Sequence, residues 1–140
     1  MFSIDAARMI VKGALAEGRS RGFQPLAVVV LDEGGHLVAF EREDGASPGR
    51  FQVANGKAYG AVMMGMAGTA LTGLAEARPF FSAALTGVFD GHFAPVPGGV
   101  LIRGDDGSVI GAVGVSGDTS DNDADAAMAG LDAAGLTGER

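Results

Sequence analysis

The chain has no cysteine. That absence removes disulfides, thiolate metal sites, covalently attached c-type haem and a cysteine nucleophile. No apolar run approaches the roughly 18 to 20 uncharged residues of a membrane span, and no basic patch carries the interleaved aromatics that nucleic-acid binding uses. Neither a membrane nor a nucleic acid is therefore expected as a partner. The amino terminus, MFSIDAARMIVKGALAEG, holds Asp5, Arg8 and Lys12 inside its apolar pattern and lacks the basic-then-apolar order of a secretion signal, so a cytoplasmic location is expected. No nucleophile–base motif is recognisable, which lowers the case for covalent catalysis and leaves acid–base chemistry open.

What is present suits one compact unit. The 140 residues are enough for a single domain with a real core, 1–140, and the 47% hydrophobic content argues against a disordered chain. The net charge of -7 is unevenly placed: Met1 to Arg103 carries nine acids and nine bases, whereas Gly104 to Arg140 carries eight acids and one base.

Local patterns predict the order helix, two strands, helices, two strands, helix. Ser3 caps a first helix whose Ala6, Ala7, Ile10 and Ala14 recur at helical spacing, with EGRSRG as its stop. PLAVVVLD, the turn EGG and HLVAFERE read as a hairpin. Ser47 and Pro48 then predict a helix running to about Ala67, in which Gly56, Gly60 and Gly65 each cost about 0.8 to 1 kcal/mol relative to alanine. Such a cost implies close approach of a strand, a helix or another subunit. Pro79 opens PFFSAALTG, with Phe80, Phe81 and Leu85 expected in the core; a second hairpin turns at Gly104 to Gly107, and a last helix runs from about Asp121 to Ala134. Hairpins instead of crossovers indicate an α+β fold, an antiparallel sheet with flanking helices.

The glycine-rich and then acidic segment GAVGVSGDTSDNDAD lies where a phosphate loop would, but it lacks both the dinucleotide fingerprint and the Walker lysine. The helix start that would attract a phosphate already holds Asp118, Asp121 and Asp123. Ser120 with Asp123 reads as a variant capping box. Asp121, Asp123, Asp125 and Asp132 nearly match a calcium loop, yet Ala126 stands where the turn needs glycine and the segment prefers helix. No metal site is expected. His36 ends a turn and reads as an exposed strand residue, whereas His92 lies in the loop FDGHFAPVPGG, where binding chemistry concentrates. Lys57 is a lone cation in a helix of small and apolar residues, either snorkelling or facing a carboxylate. Met63, Met64 and Met66 read as flexible core filler.

Three blocks carry a resemblance: VVVLDEGGHLVAFEREDGA (Val28 to Ala46), ANGKAYGA (Ala54 to Ala61) and PGGVLIRGDDGSVIGAVGVSGDTSDND (Pro97 to Asp123). In this order, over nearly the whole chain, the sequence resembles the GlcG/HbpS-like haem-degrading proteins, which include the carboxy-terminal domain of PduO-type proteins. The resemblance implies a GlcG-like, profilin-like fold, self-assembly into a homo-oligomer, and non-covalent haem binding in some members. The matching polar positions are Asp32, Arg42, Asp44, Lys57, Ser116 and Asp123, with Gly98, Gly99, Gly114 and Gly117 as backbone requirements. Leu101 departs from a frequent proline, and Ala124 from a frequent acid.

Two functional expectations follow. One is a small-molecule binding protein that holds haem or a related tetrapyrrole between the glycine-edged helix and the GHFAPVPGG loop, with His92 as axial ligand and Lys57, Arg42 and Arg50 for the propionates. The other is an enzyme acting on an oxygenated or carboxylated metabolite. In that case Lys57 or Arg42 fixes the anion, Asp44 or His92 moves a proton, and N–H groups near Gly98 and Gly99 stabilise developing charge.

Overall fold

A computed structural model describes residues 2–140. Helix α1 (Ile4–Arg21) is followed by strands β1 (Ala27–Asp32) and β2 (Leu37–Arg42) and by helices α2 (Arg50–Met64), α3 (Gly68–Ala77) and α4 (Pro79–Val88). Strands β3 (Gly99–Arg103) and β4 (Val109–Ser116), helix α5 (Ser120–Ala133) and strand β5 (Thr137–Glu139) complete the chain. The strands form one antiparallel sheet in the order β2-β1-β4-β3-β5. The expected α+β class is observed.

Alternation along the strands builds two cores. Val28, Val30, Val113, Val115, Val100 and Ile102 face α1 and α5, while Val29, Leu31, Ala112 and Leu101 face α2. The register makes these rows continuous, since Val30 pairs with Val113 and Val113 with Val100 on one face, and Leu31 with Ala112 and Ala112 with Leu101 on the other. Both faces of β1 from Ala27 to Leu31 are therefore buried and apolar, which is why it shows no polar alternation in sequence. Small residues allow the helices to lie close: Gly130 rests on the Ile10 carbonyl of α1, and Gly114 of β4 rests on the Ala54 carbonyl of α2. A third, smaller core of Leu71, Leu85 and Phe93 supports α3 and α4.

Several boundaries differ from expectation. α2 starts at Arg50 with Gly49 as its N-cap, because Ser47 and Pro48 form a preceding turn in which the Ser47 carbonyl accepts from Arg50 N–H. It ends at Gly65, whose left-handed backbone (φ 62°) stops the helix ahead of the predicted Ala67. The cap of α5 is Thr119, whose hydroxyl accepts from Asn122 N–H, in place of Ser120. Phe80 is 93% exposed and Phe81 36% exposed, so neither is core; only Ser82 and Leu85 of α4 are buried. Strand β5 pairs with β3 over three residues and was not anticipated, its TGE sequence carrying no strand pattern.

Candidate functional site

Two polar regions flank α2, one sealed and one open. The sealed region is built on Lys57. Ala54, Lys57, Ala58 and Ala61 share the helix face turned to the sheet, so the Lys57 stem is laid against β3 and β4. Its ammonium donates to Asp123 Oδ2 at 3.0 Å and to the Val115 carbonyl at 2.9 Å, with side chains only 3% and 2% exposed. Loss of water lowers the Lys57 pKa, with Asp123 opposing that effect, and the same desolvation raises Asp123 against the pull of Lys57. The second oxygen of Asp123 accepts from Asp118 N–H at 2.9 Å. Arg50, two turns earlier on a similar face of α2, donates to the Ser116 hydroxyl at 3.1 Å.

This centre corrects the sequence reading in three respects. Lys57 does not border a recess but is bound to a carboxylate from α5, so its charge is already matched. Gly98 and Gly99 are buried against the Lys57 side chain and backbone, so they face no open pocket in which their N–H groups could meet an oxyanion. The interval between α2 and the GHFAPVPGG loop is filled: Gly60 meets the Phe93 ring, and Gly56 meets Phe93 and Ala94, with Ala94 N–H donating to the Gly56 carbonyl at 3.2 Å. Gly56 and Gly60 thus receive a loop where a strand, a helix or a subunit was expected, and Gly65 has nothing within 4 Å and serves as the helix stop.

The acidic segment caps α5 by other residues than the expected Ser120–Asp123 box: Thr119 is the cap, and Asp123 turns inward to Lys57. Asp118 accepts from Gln24 N–H (2.8 Å), Thr119 N–H (2.8 Å) and the Asn122 amide (2.7 Å), and these bonds, the Gln24 one foremost, hold its carboxyl below the usual range. Asp125 pairs with Arg21 and Arg140, and Asp121, Asp123, Asp125 and Asp132 all lie on α5, so the calcium-loop geometry is not formed.

The open region carries His92. This residue is exposed, its Nδ1 lies 3.4 Å from Asn55 Nδ2, and its ring meets Tyr59 edge-on with centroids 5.6 Å apart. Phe89 in turn lies 6.0 Å from Tyr59, also edge-on. Asn55, Tyr59 and Met63 recur at four-residue spacing on one flank of α2, between the His92 loop and the β1–β2 turn, since Gly35 packs on both Tyr59 and Met63. That turn is fixed by Asp32, whose Oδ1 accepts from Gly34 and His36 N–H at 2.9 Å each, and whose carboxylate also faces the His36 ring. These bonds, His36 N–H first, keep the Asp32 pKa low. The Asn55–Tyr59 contribution was missed in the sequence, although the spacing was readable.

Arg42 and Asp44 lie elsewhere. Both are exposed and line a shallow depression with Leu15, Arg19, Glu41 and Glu43, which His92 and Lys57 do not line. The groups expected to share acid–base work are therefore not collected in one pocket. Arg42 and Ser116 both pair with Ala27, which puts Arg42 on the same sheet row as the Ser116 that Arg50 contacts.

Comparison with known proteins agrees with this architecture. A family described as "Haem degrading protein HbpS-like" matches residues 2–132. Among solved structures, a PduOC–heme complex superposes with a TM-score of 0.86 at 22% identity, covering 99% of each chain. HbpS gives 0.82 at 24%, covering 94% of this chain and 88% of its own. The Klebsiella pneumoniae protein ORFY gives 0.82 at 24%, covering 96% and 90%. At these identities the likeness carries the fold. No curated protein sequence matches the chain.

Proposed function

This chain belongs to the HbpS-like family, and on that premise we propose that it binds haem or a related tetrapyrrole non-covalently, as a homo-oligomer, with His92 as axial ligand. The observation that carries the assignment is the surface around His92: an exposed imidazole, a polar partner at Nδ1, and the edges of Tyr59 and Phe89 beside it. A ligating histidine is held by a hydrogen bond at its other ring nitrogen. With the Asn55 amide turned so that Oδ1 accepts from Nδ1–H, the Nε2 lone pair is free for iron, and such amide orientation follows the network. Tyr59 and Phe89 offer apolar contact to a flat macrocycle. Lys57 is spent on Asp123, Arg50 is turned to Ser116 and Arg42 lies in a separate depression, so none of the three is assigned to the propionates of a ring on His92. Bound haem would supply redox-active iron; the chain would supply the ligand and the ring contacts.

Self-association is supported by α4, which leaves Phe80, Phe81 and Val88 in solvent at 93%, 36% and 67% exposure. Hemin titration followed at the Soret band tests the ligand assignment. Saturable binding by the wild type, lost or spectrally altered in His92→Ala and weakened in Asn55→Ala, is expected. Equal, unsaturated binding by the wild type and His92→Ala would remove the assignment. Sedimentation of the wild type against Phe80→Ser tests the oligomer, and a wild-type monomer at all concentrations would remove it.

A further inference from the structure

Helix α1 packs on α5 and β1 with one face and leaves a flank overhanging β2, the strand at the open edge of the sheet. Between that flank and β2 lies a cavity of about 610 Å³, inside the roughly 300 to 1,000 Å³ usual for small-ligand sites. Its floor is apolar: Val11 and Leu15 are buried, and Val38 and Ala39 are half-buried and packed on the same core. Its rim is basic, with Arg8, Lys12 and Arg19 against Glu41 alone, on a chain whose net charge is -7.

The three cations are not equivalent. Arg19 is committed to Glu43 at 3.0 Å. Arg8 touches only Asp5, at 3.4 Å and with both side chains in solvent, a contact of little energy. The Lys12 ammonium makes no ion pair or hydrogen bond among the described residues. Glu41 lies toward the Arg19 end, because Leu15, Arg19 and Glu41 also line the adjoining depression with Glu43. The anion-attracting pole is therefore the Arg8–Lys12 end, directly beside the aliphatic floor. A lone ammonium next to a loosely tied guanidinium suits one carboxylate head, and the floor suits a saturated tail far better than a polar sugar or nucleotide.

We propose that the groove between α1 and β2 is a second ligand site, which takes an amphipathic aliphatic carboxylate with its head on Lys12 and Arg8 and its tail on Val11, Leu15, Val38 and Ala39. The site goes beyond the haem reading and shares no residue with the His92 surface.

The test uses the full chain and a dansyl-labelled undecanoate, displaced by dodecanoate and by dodecanol. Saturable fluorescence enhancement is expected, with dodecanoate displacing the probe and the uncharged dodecanol competing far more weakly. Lys12→Glu should weaken dodecanoate by about tenfold or more, and Ala39→Phe should block it by filling the floor, with circular-dichroism melts confirming that both variants fold. Absence of saturable binding, wild-type affinity in Lys12→Glu, or equal competition by the alcohol overturns the proposal. His92→Ala should keep full dodecanoate affinity; if it loses it, the probe sits on the His92 surface and the groove assignment falls. Lys12→Glu should keep the hemin response, so that failure of either site is read separately from failure of the other.

Discussion

The two faces of α2 have been put to opposite uses. Toward the sheet the helix shows Ala54, Ala58 and Ala61, its backbone touches Gly99 and Gly114, and its one charge is neutralised within a sealed contact to α5. On its outer side the loop from Phe89 to Pro97 and helices α3 and α4 rest on a core of three buried residues, and large apolar groups stay in water. The first region has no space and no unmatched charge; the second has an exposed imidazole, ring edges and adaptable methionines. Of the two sides of α2, only the outer one leaves polar and aromatic groups open to solvent, and the sheet-facing polar groups hold the frame.

Breaking the sealed contact should give the largest effect. Lys57→Met alone leaves Asp123 buried and charged, and is expected to cost about 3 to 5 kcal/mol by urea unfolding. The double variant Lys57→Met, Asp123→Leu should recover most of that loss, because two buried charges are removed together. If the single variant unfolds like wild type, Lys57 is not sealed. Glycine substitutions sharpen the contrast. Gly114→Ala drives a Cβ into the Ala54 carbonyl and should cost about 1 to 3 kcal/mol or more, whereas Gly87→Ala on α4, where nothing lies within 4 Å, should stabilise by about 0.5 to 1 kcal/mol.

Acid separates the carboxylates further. The Asp118 pKa is held below its unfolded value, near 3.9. Its contribution is therefore complete above that pH and is lost as pH falls through the folded value. Asp118→Asn should flatten this acid limb, with no change in the slope near neutrality; an unchanged limb would mean that its bonds to Gln24, Thr119 and Asn122 do not persist in solution. The smallest effect is expected on α4, where Phe80→Ser should alter monomer stability by no more than about 0.5 kcal/mol.

Much of the frame was legible in sequence because its signals are local. The Gly104–Gly107 turn, the Ser3 cap and the β-branched run of β1 each specify their element within a few residues. Lys57 was harder. Its partner lies 66 positions away, and no spacing rule reaches that far. One local sign was available, since Ala54, Ala58 and Ala61 mark the inward face and Lys57 stands on it. Phe80 and Phe81 misled for the opposite reason: apolar composition implies a core, but α4 is short and only Ser82 and Leu85 turn inward. His92 was visible as a residue but its surroundings were not, because Asn55 and Tyr59 join it only through tertiary packing.

The strand order has a consequence for how the molecule is made. β1 pairs with its neighbour β2 on one side and with the distant β4 on the other. A nascent chain that has released α1, β1, β2 and α2 therefore waits with the most apolar strand half-paired, and closes only when β4 leaves the ribosome. During that interval the growing polypeptide is at its most vulnerable to sticking to its copies, and a chaperone that shields β1 would have its greatest effect there.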